Sequence, residues 1–286
     1  MKITSAADEI KKLSPGEVKA ILDSDKNGEY FLIDVRQPEE YEAGHLPGSV
    51  LIPLNEFEAR RYELYKEMYR SEKVIITCQS GRRSMAAAIF LYELGFRDIF
   101  ILDEGLNGWK DKVITGKPKE RPDLLDKTAN VKNILLLAIK MEQGTRNFYL
   151  TAKERAGAPA AKQMFQTLSD AEHGHMDRLY HRAIDVMSKK TELISVDQFI
   201  AEFDKGFMEG IIEISHALTK VDEDITSEAE ALDIAIENEY LAYDFYKRAA
   251  ALVVNLEAKA LLHELAHDEQ GHASTLLDRL ARIVRK

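Results

Sequence analysis

The chain contains one cysteine, Cys78, among 286 residues. That scarcity excludes an internal disulfide, a cysteine-rich zinc site, an iron–sulfur cluster and a rubredoxin-type iron site. Redox or thiol chemistry must therefore use Cys78, carboxylates or histidines. Proline and glycine are also sparse, at 7 and 15 residues, while 45% of the chain is hydrophobic and 31% charged. That balance argues against long disordered stretches. Positive charge is outnumbered, with 39 Lys and Arg against 49 Asp and Glu, for a net charge of −10 and a pI near 5.4. The surplus of negative charge opposes binding to nucleic acid or to an anionic membrane. Long apolar runs are missing as well. The longest candidate, Ile134 to Ile139, is one stripe of an amphipathic helix and falls far short of the ~20 residues a transmembrane helix needs. The start, Met1-Lys2-Ile3-Thr4-Ser5, has no apolar run of a secretory signal. A soluble protein of the cytoplasm, without nucleic-acid or membrane partners, is the expectation.

What is present divides into two textures, as the length suggests. Residues 1–113 alternate strand-like and helix-like segments. Ser14-Pro15-Gly16-Glu17 reads as a capping box with proline at the first helical position, opening a helix through Val18, Ile21 and Leu22. Tyr30 to Val35, Ser49 to Ile52, Lys73 to Cys78 and Asp98 to Leu102 read as buried strands, and Ser84 to Leu94 as a helix stopped by Gly95. This alternation predicts an α/β domain with a parallel sheet and helices on both faces. Residues 114–128 form a linker with Gly116, Pro118 and Pro122 and no sustained period. Residues 129–286 switch to 3.6-residue stripes, with helices predicted at about 129–156, 159–189, 228–254 and 256–284. The connection of about 190–227 should carry shorter helical pieces. Four long helices with one long middle crossover define an all-α ferritin-like bundle.

The helical half repeats itself. Ala138-Ile139-Lys140-Met141-Glu142 with Phe148-Tyr149 matches Ala235-Ile236-Glu237-Asn238-Glu239 with Phe245-Tyr246. Glu172 and His175 match Glu269 and His272, and every matched pair is 97 residues apart. Two helix pairs thus carry the same side chains in the same order.

Cys78 closes the strand Val74-Ile75-Ile76-Thr77 and opens the loop Cys78-Gln79-Ser80-Gly81-Arg82-Arg83-Ser84 ahead of a helix. In a parallel sheet this is where ligands bind, because loop and helix N–H groups converge beyond the strand's carboxyl end. With Arg82 and Arg83 adding positive charge, the setting favours thiolate. Gly81 permits the positive φ that such a loop needs. These features outweigh the plainer reading of a buried core thiol. Asp34 and Arg36 read as an internal ion pair, His45 as a turn cap and Trp109 as a packing residue.

The segments Asp34-Val35-Arg36, Glu40-Tyr41 and Gly44-His45-Leu46-Pro47-Gly48-Ser49, the loop Cys78 to Arg83, and Gly105-Leu106-Asn107-Gly108-Trp109 together resemble the rhodanese signature over residues 5–113. The resemblance implies a ping-pong sulfurtransferase in which Cys78 takes a sulfane sulfur as a persulfide and passes it to a thiol acceptor. Arg82 and Arg83 would contact the anionic substrate, with Gln79, Ser80, Gly81 and Ser84 shaping the loop. A six-residue loop suits sulfur rather than the bulkier tetrahedral oxyanions.

In the second half, Glu172 with His175 and Glu269 with His272 each share a helix face, as do Glu142 with Tyr149 and Glu239 with Tyr246. If all four faces point inward, four carboxylates meet in the bundle centre. Burying them without cations would cost many kcal/mol, so they must be protonated or neutralised by metal. Two divalent ions match four negative charges, and one Glu from each of two helices plus Glu-x-x-His from each of two others is a di-metal arrangement. His173, His181, His216, His263 and His267 lie outside the register. Tyr149 and Tyr246 read as buried residues bonding the ligand carboxylates, with a redox role as an alternative.

This half resembles the rubrerythrin branch of the ferritin-like family over about residues 129–284. The resemblance implies two metal ions, iron first and manganese or zinc as alternatives, reacting with peroxide or oxygen, and a homodimer. Two departures stand out. A further family glutamate would fall at Ala242, and no Cys-x-x-Cys exists to hold a rubredoxin-like tail. Electrons would then come from an external donor protein. Glu202, Glu209 and Glu213 in the crossover are candidate substitutes. The expected function is a sulfurtransferase coupled to a di-iron oxidoreductase centre. The rival readings are a catalytic rhodanese beside a storage, sensing or structural bundle, and a catalytic bundle beside a persulfide sensor.

Overall fold

The computed structural model describes residues 6–25, 27–60, 73–116, 125, 127–187, 206–208, 210, 212–221 and 225–284. The chain divides into two compact units, Met1–Pro118 and Lys119–Lys286.

In the first unit five parallel strands run in the order β1-β5-β4-β2-β3: β1 Lys11–Leu13, β2 Tyr30–Asp34, β3 Val50–Leu51, β4 Lys73–Thr77 and β5 Ile99–Leu102. Side chains alternate across the pleat, so Val74 and Ile76 join one apolar cluster while Ile75 joins another. Both faces of the sheet are thus covered, as an all-parallel sheet requires. Helix α1, Pro15–Ser24, opens on the expected capping box. The Glu17 N–H donates to Ser14 Oγ at 3.3 Å and the Ser14 N–H to Glu17 Oε2 at 2.8 Å, a cap worth about 1 kcal/mol. Helices α2, Pro38–Ala43, and α3, Arg82–Glu93, complete the unit's longer helices. The strand expectations are met at β2 to β5. β1 is an addition, for Lys11-Lys12-Leu13 is too polar and short to announce itself.

In the second unit four long helices form the bundle: α4 Val131–Arg155, α5 Pro159–Met187, α6 Glu228–Leu252 and α7 Leu256–Val284. Asn130 caps α4 by accepting from the Asn133 N–H at 3.1 Å, and Ser227 caps α6 by accepting from the Glu230 N–H at 3.2 Å. The apolar stripes of α4 and α6 meet in two clusters, one around Ile139, Met176, Tyr246 and Leu262, the other around Phe148, Phe165 and Leu232.

The middle crossover holds a feature that sequence patterning did not announce. Phe207–Met208 pairs antiparallel with Ile212–Glu213, followed by a helical turn at Ile214–Ala217. Of its three acidic candidates, Glu213 is exposed, while Glu202 and Glu209 lie outside the described residues. The hairpin rests on glycine. A Cβ on Gly144 would run into the Phe207 carbonyl oxygen and come within 2.7 Å of Met208 Cα. Gly210, at φ 68°, packs on Leu241 of α6. Both contacts fall two residues beyond Glu142 and Glu239. Gly144→Ala should therefore destabilise the protein by about 1–3 kcal/mol through overpacking, lowering Tm by roughly 2–4 °C per kcal/mol. Gly271→Ala, with nothing within 4 Å of its Cβ, should raise Tm or leave it unchanged, because alanine is the better helix former. Thermal unfolding of both variants checks this, and equal shifts would contradict it.

Candidate functional site

Cys78 follows the last residue of the central strand β4, and α3 begins four residues later. Gly81 caps α3 at φ 80°, the left-handed region that favours glycine. The thiol is wholly buried at the base of this loop. Burial alone would raise its pKa. The nearby Ser84 hydroxyl and the N–H groups of Ser84, Ser80 and Arg83 outweigh burial and hold it below the ordinary thiol range. Dipoles, rather than a directly bonded cation, stabilise the thiolate.

The loop is braced by the segment that follows the neighbouring strand β5. The Leu106 N–H donates to the Cys78 carbonyl at 2.9 Å and the Asn107 N–H to the Gln79 carbonyl at 3.1 Å. Gly105, at φ 58°, lies so close that a Cβ there would strike the Cys78 carbonyl oxygen and come within 2.8 Å of the Gln79 carbon and Ser80 nitrogen. The Gln79 side chain is held at both ends. Its Nε2 donates to Asn107 Oδ1 at 2.6 Å, and its Oε1 accepts from Arg36 Nη1 at 3.3 Å.

The cations near the loop differ sharply in state. Arg36 is buried in a two-pronged pair with Asp34, Nη2 to Oδ2 at 2.8 Å and Nε to Oδ1 at 3.0 Å, and it also donates to the Gly44 carbonyl. Arg83 is held by Glu40 through two bonds of 2.6 Å. Arg82 is exposed and has no ion-pair partner among the described residues. The side chain of His45 is buried, stacked on Tyr41 at 3.7 Å, with Nδ1 2.9 Å from the Tyr41 carbonyl oxygen. Trp109 is half-buried and donates to the Lys112 carbonyl.

The Arg83 guanidinium holds the Glu40 carboxyl down at about 2, well below its ordinary value of 4.5. A depressed carboxyl contributes stability that is full above its unfolded pKa and is lost as pH falls through the folded one. The stability difference between wild type and Glu40→Gln should therefore shrink as pH drops from about 4.5 to about 2. Chemical unfolding across that window checks it, and a constant difference would contradict the pairing.

In the bundle, helices α4, α5, α6 and α7 deliver Glu142, Glu172 with His175, Glu239, and Glu269 with His272, respectively. The four glutamates are each 3% exposed or less. They gather as two trios, Glu142–Glu172–His175 and Glu239–Glu269–His272, each with candidate ligand atoms within 4.8 Å of one another. His175 Nδ1 lies 3.5 Å from Glu142 Oε2 and 3.4 Å from Glu172 Oε2. His272 Nδ1 lies 3.3 Å from Glu239 Oε2 and 3.0 Å from Glu269 Oε2. The two imidazoles stack at 4.1 Å, so the trios adjoin.

The electrostatics of the cluster are those of a crowded, dry site. Burial, joined by the charges of Glu269 and Glu172, pushes the Glu239 carboxyl well above its ordinary range. Burial would also raise Glu172, but Glu142 and the nearby His175 and His272 imidazoles outweigh it and lower the group. Burial opposes charge on His272, yet Glu239 and Glu269 overcome it and raise the imidazole to about 10. His175 Nδ1 is sealed from solvent and hydrogen-bonded to neither nearby carboxylate. An orphaned nitrogen facing two carboxylates is a metal-ligand donor set. The residues fit a pair of cations.

Tyr149 and Tyr246 are buried in the core. Ala242 is buried too, and Thr145, its counterpart in the repeat, bonds its own helix at the Met141 carbonyl. Neither position supplies a further acid. Of the histidines outside the register, His181 and His216 are exposed, and His173, His263 and His267 half-buried.

Two family models match the chain. Rhodanese-like domain covers residues 14–112, and Rubrerythrin covers 109–183 and 133–280 in overlapping stretches. The thiosulfate sulfurtransferase GlpE of Pseudoalteromonas translucida is 32% identical over 100 residues, 35% of this chain and 89% of its own length. YrkF of Bacillus subtilis, provisionally designated a sulfur carrier protein, is 38% identical over 107 residues, 37% of this chain. The chain spans 55% of the length of YrkF. A rhodanese-like domain protein of Staphylococcus aureus, a solved structure, is 24% identical with a TM-score of 0.32 and covers 37% of this chain and 99% of its own.

Proposed function

The chain belongs to the rubrerythrin family and carries a rhodanese-like domain ahead of its rubrerythrin region, and from this premise we propose that it couples persulfide-based sulfur transfer at Cys78 to a di-iron centre. The observation that carries the metal half is the convergence of two matching Glu–Glu–His trios in a dry core. The sulfur half rests on a buried thiol whose pKa is lowered by loop donors.

In the sulfur half-reaction, the Cys78 thiolate attacks the outer sulfur of a sulfane donor. The donor's S–S bond breaks, its electron pair leaves with the departing group, and Cys78 holds the sulfur as a persulfide. A thiolate acceptor then attacks that outer sulfur and Cys78 leaves as thiolate. The N–H groups of Ser80, Arg83 and Ser84 hold the negative charge at Cys78 in both resting forms. Gly105 and Asn107 keep the loop in shape.

In the bundle, Glu142, Glu172 and His175 would hold one ion, and Glu239, Glu269 and His272 the other. Iron held there would supply redox chemistry, giving electrons to peroxide or oxygen or taking them from sulfur species. This chain's own contribution is to bring four carboxylates and two imidazoles into one water-poor chamber, with Tyr149 and Tyr246 beside them. Manganese and zinc suit the same donors, so availability decides the loading. With Cys78 the single cysteine, electrons would come from a separate donor protein, and the acceptor of sulfur would be a thiol. A homodimer is the state the family resemblance implies.

The test of the sulfur half is mass spectrometry of the protein after exposure to a sulfane donor. One added sulfur atom on the peptide bearing Cys78, removed by a thiol, is expected. No adduct with any sulfane donor would sink this reading. Coupling is tested separately: Cys78→Ser should change the metal-dependent rate with sulfur substrates, and an unchanged rate would favour two independent modules.

A further inference from the structure

Around Cys78 the buried Arg36 and the half-buried Arg83 are already paired. Arg36 is committed to Asp34, and Arg83 to Glu40. The four groups form a balanced array, for Glu40 senses Arg36 and Arg83 senses Asp34 and Cys78. The N–H donors of Ser80, Arg83 and Ser84 are aimed at the thiol. The remaining loop cation, Arg82, stands exposed at the rim. Among the described residues, the base of the loop therefore offers little uncompensated positive charge to an incoming ion, while Arg82 offers one full charge at the rim.

We infer that the sulfur donor is an organic persulfide, which brings at most one negative charge to the reacting sulfur pair, rather than thiosulfate, which brings two. The inference rests on the sulfurtransferase reading of Cys78. Thiosulfate carries its charge on a sulfonate bonded directly to the sulfur being transferred, so that charge must enter beside the paired Arg83 and the nearby Glu40. Like-charge proximity in a half-buried setting is costly. In a persulfide R–S–SH the inner sulfur bears a carbon chain, and a carboxylate further along R can reach Arg82. The step balances: Cys78–S⁻ and R–S–SH give Cys78–S–S⁻ and R–SH, the leaving thiolate taking the donor's proton. No oxidant or reductant is needed. Glu40 acts here as a positioning and specificity residue, because it sets the charge that Arg83 presents.

The experiment measures kcat/KM of the full-length protein with glutathione persulfide and with thiosulfate, using one thiol acceptor, for wild type, Glu40→Gln and Arg82→Ala. Wild type should favour the persulfide. Glu40→Gln should raise kcat/KM for thiosulfate about 5-fold, through KM, with little change for the persulfide. Arg82→Ala should lower kcat/KM for glutathione persulfide about 5-fold through KM. Should Glu40→Gln fail to fold, the wild-type donor ratio and Arg82→Ala decide alone. A wild type that prefers thiosulfate, or a donor ratio indifferent to both substitutions, overturns the inference and leaves the sulfurtransferase standing. Failure with both donors in wild type overturns the sulfurtransferase reading itself, and the inference with it.

Discussion

Cys78→Ser should abolish sulfur transfer, by at least about 10³-fold, the scale on which loss of a nucleophile acts. Serine preserves the loop's shape and its hydrogen-bond donors, so the fold should survive. A serine hydroxyl is neither ionised by these dipoles nor able to hold a labile outer sulfur. The same donors make a second statement about wild type. Because they hold the thiol below its ordinary pKa, alkylation of Cys78 by iodoacetamide should stay fast as pH falls below the ordinary thiol range. Ser84→Ala should move that profile upward, because it removes the hydroxyl dipole beside the thiolate. Residual transfer in Cys78→Ser, or an alkylation profile centred on the ordinary thiol value, would contradict the assignment.

The paired substitution Glu142→Gln with Glu239→Gln should empty the bundle of metal while stabilising the metal-free protein. In the metal-free state the four buried carboxylates repel one another, and neutral amides of similar shape remove that repulsion. Glu239 is the sharpest case, since burial with the charges of Glu269 and Glu172 holds its carboxyl well above the ordinary range. A carboxyl raised in the folded state costs stability as pH rises past its unfolded pKa, so metal-free wild type should weaken from about pH 4.5 upward. Metal should reverse this loss and release protons on binding, measurable as buffer-dependent heat in calorimetry. A variant that is less stable than metal-free wild type at neutral pH would show that the carboxylates serve packing instead.

Much of this was legible before any coordinates, for definite reasons. The four helices announce themselves because 3.6-residue stripes run for many turns, and the 97-residue repeat fixes which acids and histidines belong together. The loop at Cys78 is legible because strand, glycine and helix signals fall within a few residues. What escaped the reading depends on distance along the chain or on space that sequence does not display. Glu40 lies 43 residues before Arg83, so nothing local says that this arginine is already paired. Gly105 and Gly144 look like ordinary glycines until the backbone each one admits is seen. β1 is too short and too polar to carry a period, and the two-residue strands of the Phe207–Glu213 hairpin are too short. The Asp34–Arg36 pair, by contrast, was legible, because two residues apart on a strand end they share one side.

Metal content per chain, compared between wild type and the Glu142→Gln, Glu239→Gln protein, tests the central claim most directly. After exposure to iron(II) and removal of excess, wild type should hold two ions per chain and the variant none, with the visible absorption of oxidised carboxylate-bridged iron present only in wild type. A wild type that retains no iron, manganese or zinc, or a variant that retains as much as wild type, would contradict it.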